Sequence, residues 1–249
     1  MRKIFVYIGS RSGKNSTTLK YINNVLNKII ESVGKENVEV DLYITTSCKI
    51  NNCLGCNSCF YNGKCHQDNN DDMEVIKSKI LNSDFIIFAS PVYMHNVSGD
   101  MKIFIDRISY WTHLLKLSGK VGVAVATSTG NGLEITTNYI HKVMAYLGIK
   151  VVGEFGVVSC LEDEKYHAQV EKCSNIIIEY FNGKKVESDR ALELVFKANK
   201  IAVENQAKYD TSEYRYWKEN GLLDCNNFEE VINMIENKGK DYLTINYTL

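Results

Sequence analysis

Short apolar runs alternate along this chain with stretches whose apolar residues recur every three or four positions. KIFVYIG (3–9), VEVDLYI (38–44), DFIIFAS (84–90), KVGVAVAT (120–127) and IKVVGEFGVV (149–158) have the length and β-branched content of buried strands. Between them, residues 16–33 carry Leu19, Ile22, Val25, Leu26, Ile29 and Ile30 at helical spacing, with Ser16 placed to cap. Helices are also expected over 73–81, from Ser98 to about Tyr110, over 133–147 with Gly148 as C-cap, and over 165–181. Strands that alternate with helices predict a parallel sheet covered on both faces, an α/β fold. Five strands with right-handed crossovers suggest a doubly wound order 2-1-3-4-5.

The periodic β–α unit spans 1–183, interrupted by a cysteine-rich loop at 48–72. Residues 184–249 read as a helical C-terminal extension, with helices expected over 186–207 and 228–238. Its aromatic group Tyr214, Tyr216 and Trp217 would pack either on its own domain or on a partner subunit.

Composition narrows the function classes. The 249 residues are 45% hydrophobic, enough for a full core. A net charge of −1 offers no broad attraction to nucleic acid or an anionic membrane. The longest apolar stretches are too short to span a bilayer, and MRKIFVYIGS fits a strand better than a secretory leader. A cytoplasmic location with reduced thiols is expected.

In open α/β sheets ligands bind beyond the carboxyl ends of the strands, where strand order reverses. Three loops emerge there. GSRSGKNSTTLK (9–20) is rich in hydroxyls and enters a helix N-terminus, an arrangement suited to a phosphate. It has neither P-loop nor G-x-G-x-x-G spacing. SPVYMHNVSGDMKIFIDR (90–107) holds the chain's one proline, Pro91, which fixes how the chain leaves the sheet. A planar aromatic ligand could lie against Tyr93–Asn96. TSTGNG (127–132) allows close backbone approach. No acid–base dyad or triad is apparent.

Four of the eight cysteines, Cys53, Cys56, Cys59 and Cys65, crowd into CLGCNSCFYNGKC with the spacing C-x2-C-x2-C-x5-C. A disulfide staple, zinc, an iron–sulfur cluster and metal-free reactive thiols all remain open. Reduced thiols argue against the staple, and zinc sites with four cysteines usually use two separated knuckles. The repeated C-x2-C steps resemble the bacterial ferredoxin run. Cys48, Cys160, Cys173 and Cys225 are scattered and read as small packed hydrophobes.

GSRSGKNSTT followed by PVYMHNVSGDMKIFIDR resembles the NADPH-dependent FMN reductase branch of the flavodoxin-like superfamily, over about residues 3–180. There a G-S-x-R…S/T loop holds the FMN phosphate and a P-x-Y…G-x-x-K…D-R segment borders the isoalloxazine. Here the arginine follows the serine directly. The resemblance implies that Ser10, Arg11, Ser12, Asn15, Ser16 and Thr17 surround the phosphate. It implies that Pro91, Val92, Tyr93, Met94 and Asn96 meet the flavin, with Ser128 and Gly130 closing the third side. The cysteine run is similar to that of the iron–sulfur flavoproteins of the same family, which implies a [4Fe–4S] cluster on Cys53, Cys56, Cys59 and Cys65. Clusterless members carry a longer gap before the last cysteine. The implied activity is an FMN-dependent, NAD(P)H-linked oxidoreductase passing electrons between flavin and cluster. A clusterless NAD(P)H:FMN or quinone-type reductase and a non-catalytic electron carrier or redox sensor are the alternatives. The implied partners are a small-molecule or protein electron donor or acceptor, such as a ferredoxin, and a second copy of the chain in a homo-oligomer.

Overall fold

Alternation within the strands decides which side chains feed each face of the sheet. In the computed structural model, which describes residues 1–158 and 163–239, β1 (Arg2–Ile8) turns Ile4, Val6 and Ile8 into one buried cluster and Phe5 and Tyr7 into the other. The remaining strands are β2 (Val38–Ile44), β3 (Phe85–Tyr93), β4 (Asn96–Val97), β5 (Val121–Ser128) and β6 (Lys150–Val158). Five of them form a parallel sheet in the order β2-β1-β3-β5-β6, and β4 pairs antiparallel with β3. Counting only the parallel strands, this is the expected order 2-1-3-4-5.

Helix α1 (Thr17–Val33) starts where Ser16 Oγ accepts the Leu19 N–H at 3.1 Å. It buries Tyr21, Ile22, Val25 and Ile29 on one sheet face. The chain then forms α2 (Ser58–Asn62), α3 (Met73–Leu81), α4 (Gly99–Arg107), α5 (Trp111–Leu114), α6 (Leu133–Tyr146) and α7 (Glu164–Phe181). Helix α7 joins α1 on its face, while α3, α4 and α6 cover the other. The opposite cluster continues without a break into α8 (Arg190–Glu204), α9 (Ser212–Glu219) and α10 (Phe228–Lys238). Trp217 of α9 is fully buried, stacks on Phe196 and donates its indole N–H to His113 O at 2.8 Å. The aromatic group of the extension therefore packs on its own chain. Among the described residues, no helix is long and apolar enough to cross a membrane.

Three elements differ from expectation. β3 runs past Pro91 to Tyr93 and turns back through β4, where a loop was expected. The helix capped by Ser98 stops at Arg107, and a separate short α5 follows. Helix α9 at SEYRYWKE has only two turns, too few for its period to stand out.

Candidate functional site

The first loop is fixed at both ends by hydroxyls. Ser16 caps α1, and Thr18 Oγ1 lies 2.6 Å from Thr127 Oγ1 in a buried contact that ties the helix start to the end of β5. Ser10 is buried, and its Oγ accepts the Ser12 N–H at 3.4 Å. The first N–H groups of α1, from Thr17 onward, have no acceptor within the helix and carry its positive end. Asn15 donates its N–H to Ser12 O, closing a single turn over Gly13–Asn15. Arg11 extends away from this turn. Its Nε and Nη2 grip the two oxygens of Asp100 at 2.8 and 2.7 Å, which raises the guanidinium pKa.

The second loop is a hairpin. Val92 faces Val97 and Tyr93 faces Asn96, so Met94 and His95 form the turn. Both have φ in the left-handed region, +49° and +59°, as a two-residue hairpin turn demands. Histidine is among the side chains found there more often, but methionine is not, and such strain gathers at ligand sites. The turn leaves Met94 94% exposed and Tyr93 half-exposed, two apolar side chains held over the sheet edge.

The three loops are stitched together. Ser98 Oγ donates to Gly9 O at 2.5 Å and accepts the Met101 N–H at 3.1 Å, while Ser90 Oγ accepts the Ser98 N–H at 3.0 Å. Gly132 (φ +79°) packs against the hairpin so tightly that a Cβ would stand 2.7 Å from Val92 Cγ1. Beside it, Ser128 Oγ accepts the Gly130 N–H at 3.1 Å. A Cβ added at Gly13 or Gly130 would meet nothing within 4 Å, so each of these glycines borders open space. These residues fit a mononucleotide: unpaired N–H groups and hydroxyls for a phosphate, then exposed apolar side chains for a ring. Because Ser98 serves both as helix cap and as stitch, Ser98→Ala should lower stability by about 1–2 kcal/mol, read by urea denaturation.

The cysteine loop leaves β2 and is pinched at its neck. Asp72 Oδ2 accepts the Lys49 N–H at 2.6 Å, Asp71 Oδ2 accepts the Asn51 N–H at 2.8 Å, and Gln67 Nε2 donates to Asn52 O at 3.1 Å. Beneath the neck lies an ionic cluster that no sequence motif announced. Arg107 is fully buried and donates to Asn51 O at 2.9 Å, to Asp68 Oδ1 at 2.8 Å and to Asp71. Lys77, also buried, donates to the other Asp68 oxygen at 2.6 Å. Burial opposes the charges of Asp71, Lys77 and Arg107. The Arg107 hydrogen bonds outweigh it at Asp71 and hold that carboxyl below its usual range. At Lys77 burial wins and pulls the ammonium below the lysine range. The arginine of the D-R pair thus anchors the cysteine loop.

Within the loop Cys53 and Cys56 are exposed, and Cys59 and Cys65 are half-buried. All the cysteines among the described residues are free thiols. Burial, then the nearby Cys65 sulfur, pushes the Cys59 thiol up to about 11. Cys56 Sγ lies 3.9 Å from His66 Nδ1, and Cys53 Sγ accepts the Gly55 N–H at 3.4 Å. Among the described residues no three His, Cys, Asp or Glu side chains converge as a metal-holding set. The donor set, four thiols on a loop with an anchored neck, suits a thiolate-ligated cluster; the side chains stand apart. Of the scattered cysteines, Cys173 and Cys225 are buried, Cys48 is half-buried, and Cys160 lies outside the described residues.

Sequence reasoning also missed an imidazole–carboxylate pair. His113 Nδ1 and Glu213 Oε1 are 2.8 Å apart, and Gln206 Nε2 donates to Glu213 Oε2 at 2.9 Å. The two residues are 100 positions apart, so only the fold brings them together.

Comparison with known proteins places the chain among flavoproteins by sequence. The family model described as NADPH-dependent FMN reductase matches residues 2–162. An iron–sulfur flavoprotein of Archaeoglobus fulgidus is 34% identical over 212 residues, covering 82% of this chain and 95% of its own length. An iron–sulfur flavoprotein of Methanocaldococcus jannaschii is 32% identical over 154 residues, covering 61% and 76%. Among solved structures, an NADH:FMN oxidoreductase in its apo form superposes with a TM-score of 0.53 at 20% identity, covering 77% of this chain and 94% of its own; this likeness concerns the fold.

Proposed function

Because the chain belongs to the NADPH-dependent FMN reductase and iron–sulfur flavoprotein family, and is a flavin-dependent oxidoreductase, we propose that it draws electrons from NAD(P)H and passes them through FMN toward a [4Fe–4S] cluster on Cys53, Cys56, Cys59 and Cys65. The observation that carries this reading is the convergence of the three stitched loops at the carboxyl edge of the sheet, with the cysteine loop rising from the neighbouring strand β2. In this reading Ser10, Ser12, Asn15, Ser16 and Thr17 hold the phosphate with hydroxyls and N–H groups. Arg11 acts at one remove, fixing the loop to Asp100. Pro91, Val92, Tyr93, Met94 and Asn96 place the ring, and Ser128 and Gly130 close its far side. FMN, when bound, supplies the hydride and electron chemistry. The chain supplies orientation, and the exposed hairpin leaves one flank of the site open to a nicotinamide or to a protein partner such as a ferredoxin. A homo-oligomer and a cytoplasmic location belong to the same proposal.

The separated thiols favour a second reading, a clusterless NAD(P)H:FMN or quinone-type reductase whose cysteines serve as thiols. One sample decides between the two. Protein purified without oxygen should contain about one FMN per chain, with iron and acid-labile sulfide in equal amounts of about four. Flavin without iron or sulfide would leave the clusterless reductase, and NADH or NADPH should bleach the flavin in either case. A flavin that neither nucleotide reduces would overturn the NAD(P)H linkage.

A further inference from the structure

A cavity of about 900 Å³ separates the cysteine loop from the C-terminal helices, on residues outside the three loops of the flavin site. It is large enough for a small organic ligand. Phe60 and Tyr61 of α2 line one wall, Tyr209 and Gln206 the connection between α8 and α9, and the His113–Glu213 pair the floor. The seam is held together where Ser212 Oγ donates to Phe60 O at 2.6 Å.

Two features give this cavity a chemical preference. The first is aromatic. Tyr61 is 75% exposed and Tyr209 69% exposed, and they come from different parts of the chain to the same cavity. Phe60 packs on the His113 ring at 4.9 Å between centroids. Exposed rings around one space offer stacking surface to a planar ligand. The second is the pair itself. Burial alone would raise the Glu213 pKa, but the hydrogen bonds from His113 and Gln206 hold it below its usual range, so the carboxylate is ionised. An ionised carboxylate only accepts, so His113 Nδ1 carries the proton. In the neutral ring Nε2 is then an acceptor, oriented by a braced partner as in other carboxylate–imidazole pairs. Cations for a phosphate are scarce: Arg215 is the guanidinium on this cavity, and it already pairs with Asp210 at 3.6 Å.

We propose that the cavity between α2 and the α8–α9 connection is a second binding site, for a small planar hydroxyaromatic whose ring lies among Phe60, Tyr61 and Tyr209 and whose hydroxyl donates to His113 Nε2.

The test uses 2-naphthol as probe, titrated into full-length, FMN-saturated protein by calorimetry, with 2-methoxynaphthalene as the analogue that cannot donate. Wild-type protein should bind 2-naphthol at least about tenfold more tightly than the ether, since the bound ring covers the otherwise half-exposed His113 Nε2 and the ether leaves that acceptor without a donor. His113→Phe should abolish that preference. Tyr61→Ala and Tyr209→Ala remove exposed rings that no core packing needs, and each should weaken binding of 2-naphthol about five- to tenfold. Tyr93→Ala, on the flavin hairpin, should leave it unchanged. Equal affinity for the two probes, insensitivity to Tyr61 and Tyr209, or loss of binding in Tyr93→Ala would each overturn the proposal. The flavin content of the same samples reports on the FMN reading separately.

Discussion

Arg107→Met should cost about 3–5 kcal/mol of folding stability and free the cysteine loop from its base. The arginine side chain and that of Asp71 are both fully buried, and Asp68 is nearly so. Taking one partner out of such a cluster leaves carboxylates desolvated without their counter-charge, which is far costlier than never having built it. Lys77 cannot substitute, because its ammonium is committed to the other oxygen of Asp68 and does not reach the backbone of Asn51. Arg107→Lys should recover little, since a single ammonium cannot bridge Asn51 O, Asp68 and Asp71 as the planar guanidinium does. The triple variant Arg107→Met with Asp68→Asn and Asp71→Asn removes the stranded charges and should regain part of the loss. Urea denaturation reads the stability. Alkylation followed by mass spectrometry reads the loop: Cys59 and Cys65, half-buried now, should label as fast as the exposed Cys53 and Cys56. A loss of stability with unchanged labelling would show that the cluster braces α3 and α4 and leaves the thiols indifferent.

What could be seen in the chain beforehand follows the reach of each interaction. β1, β3 and β5 are buried on both faces and read as unbroken apolar runs, and α1 shows its face through a clear helical period. Ser16 and Ser98 cap helices through bonds three residues away, so both caps were legible. The hairpin was not, because Met94-His95 lacks the Gly or Asn that marks such a turn. Here the sheet imposes the conformation against residue preference, as expected at a functional edge. Arg107 bonds carboxylates 36 and 39 positions away, and the His113–Glu213 pair spans 100. Neither has a local signature. The cysteine spacing was plain in the sequence, but spacing fixes which sulfurs share a loop, and the loop's direction is set by the ionic base beneath it.

The extension brings a liability of its own, and Lys116→Met should therefore stabilise the protein at neutral pH. Lys116 follows α5, is almost completely buried, and rests its ammonium over the Tyr216 ring of α9 at 4.9 Å. Burial there pulls its pKa down from 10.5 to about 8. Below pH 8 the lysine is protonated in the folded and unfolded chain alike, so the folded state bears the cost of a desolvated charge, less what its contacts return. Between pH 8 and 10.5 the folded chain has released the proton while the unfolded chain still holds it. Unfolding then takes up a proton, and stability climbs with pH. Above 10.5 both are neutral and the cost is gone. Each pKa unit is worth about 1.4 kcal/mol, and the Tyr216 face returns part of the penalty, so the gain from methionine should be about 1–3 kcal/mol at pH 7. Methionine keeps the length and flexibility of the stem that packs there. Paired urea titrations at pH 7, 8, 9 and 10 should show the variant ahead at pH 7 and the wild type closing the gap as pH rises. A variant that is less stable at pH 7, or a gap that ignores pH, would mean that the ammonium is a net holding contact between α5 and α9, and that the extension depends on this charge to dock.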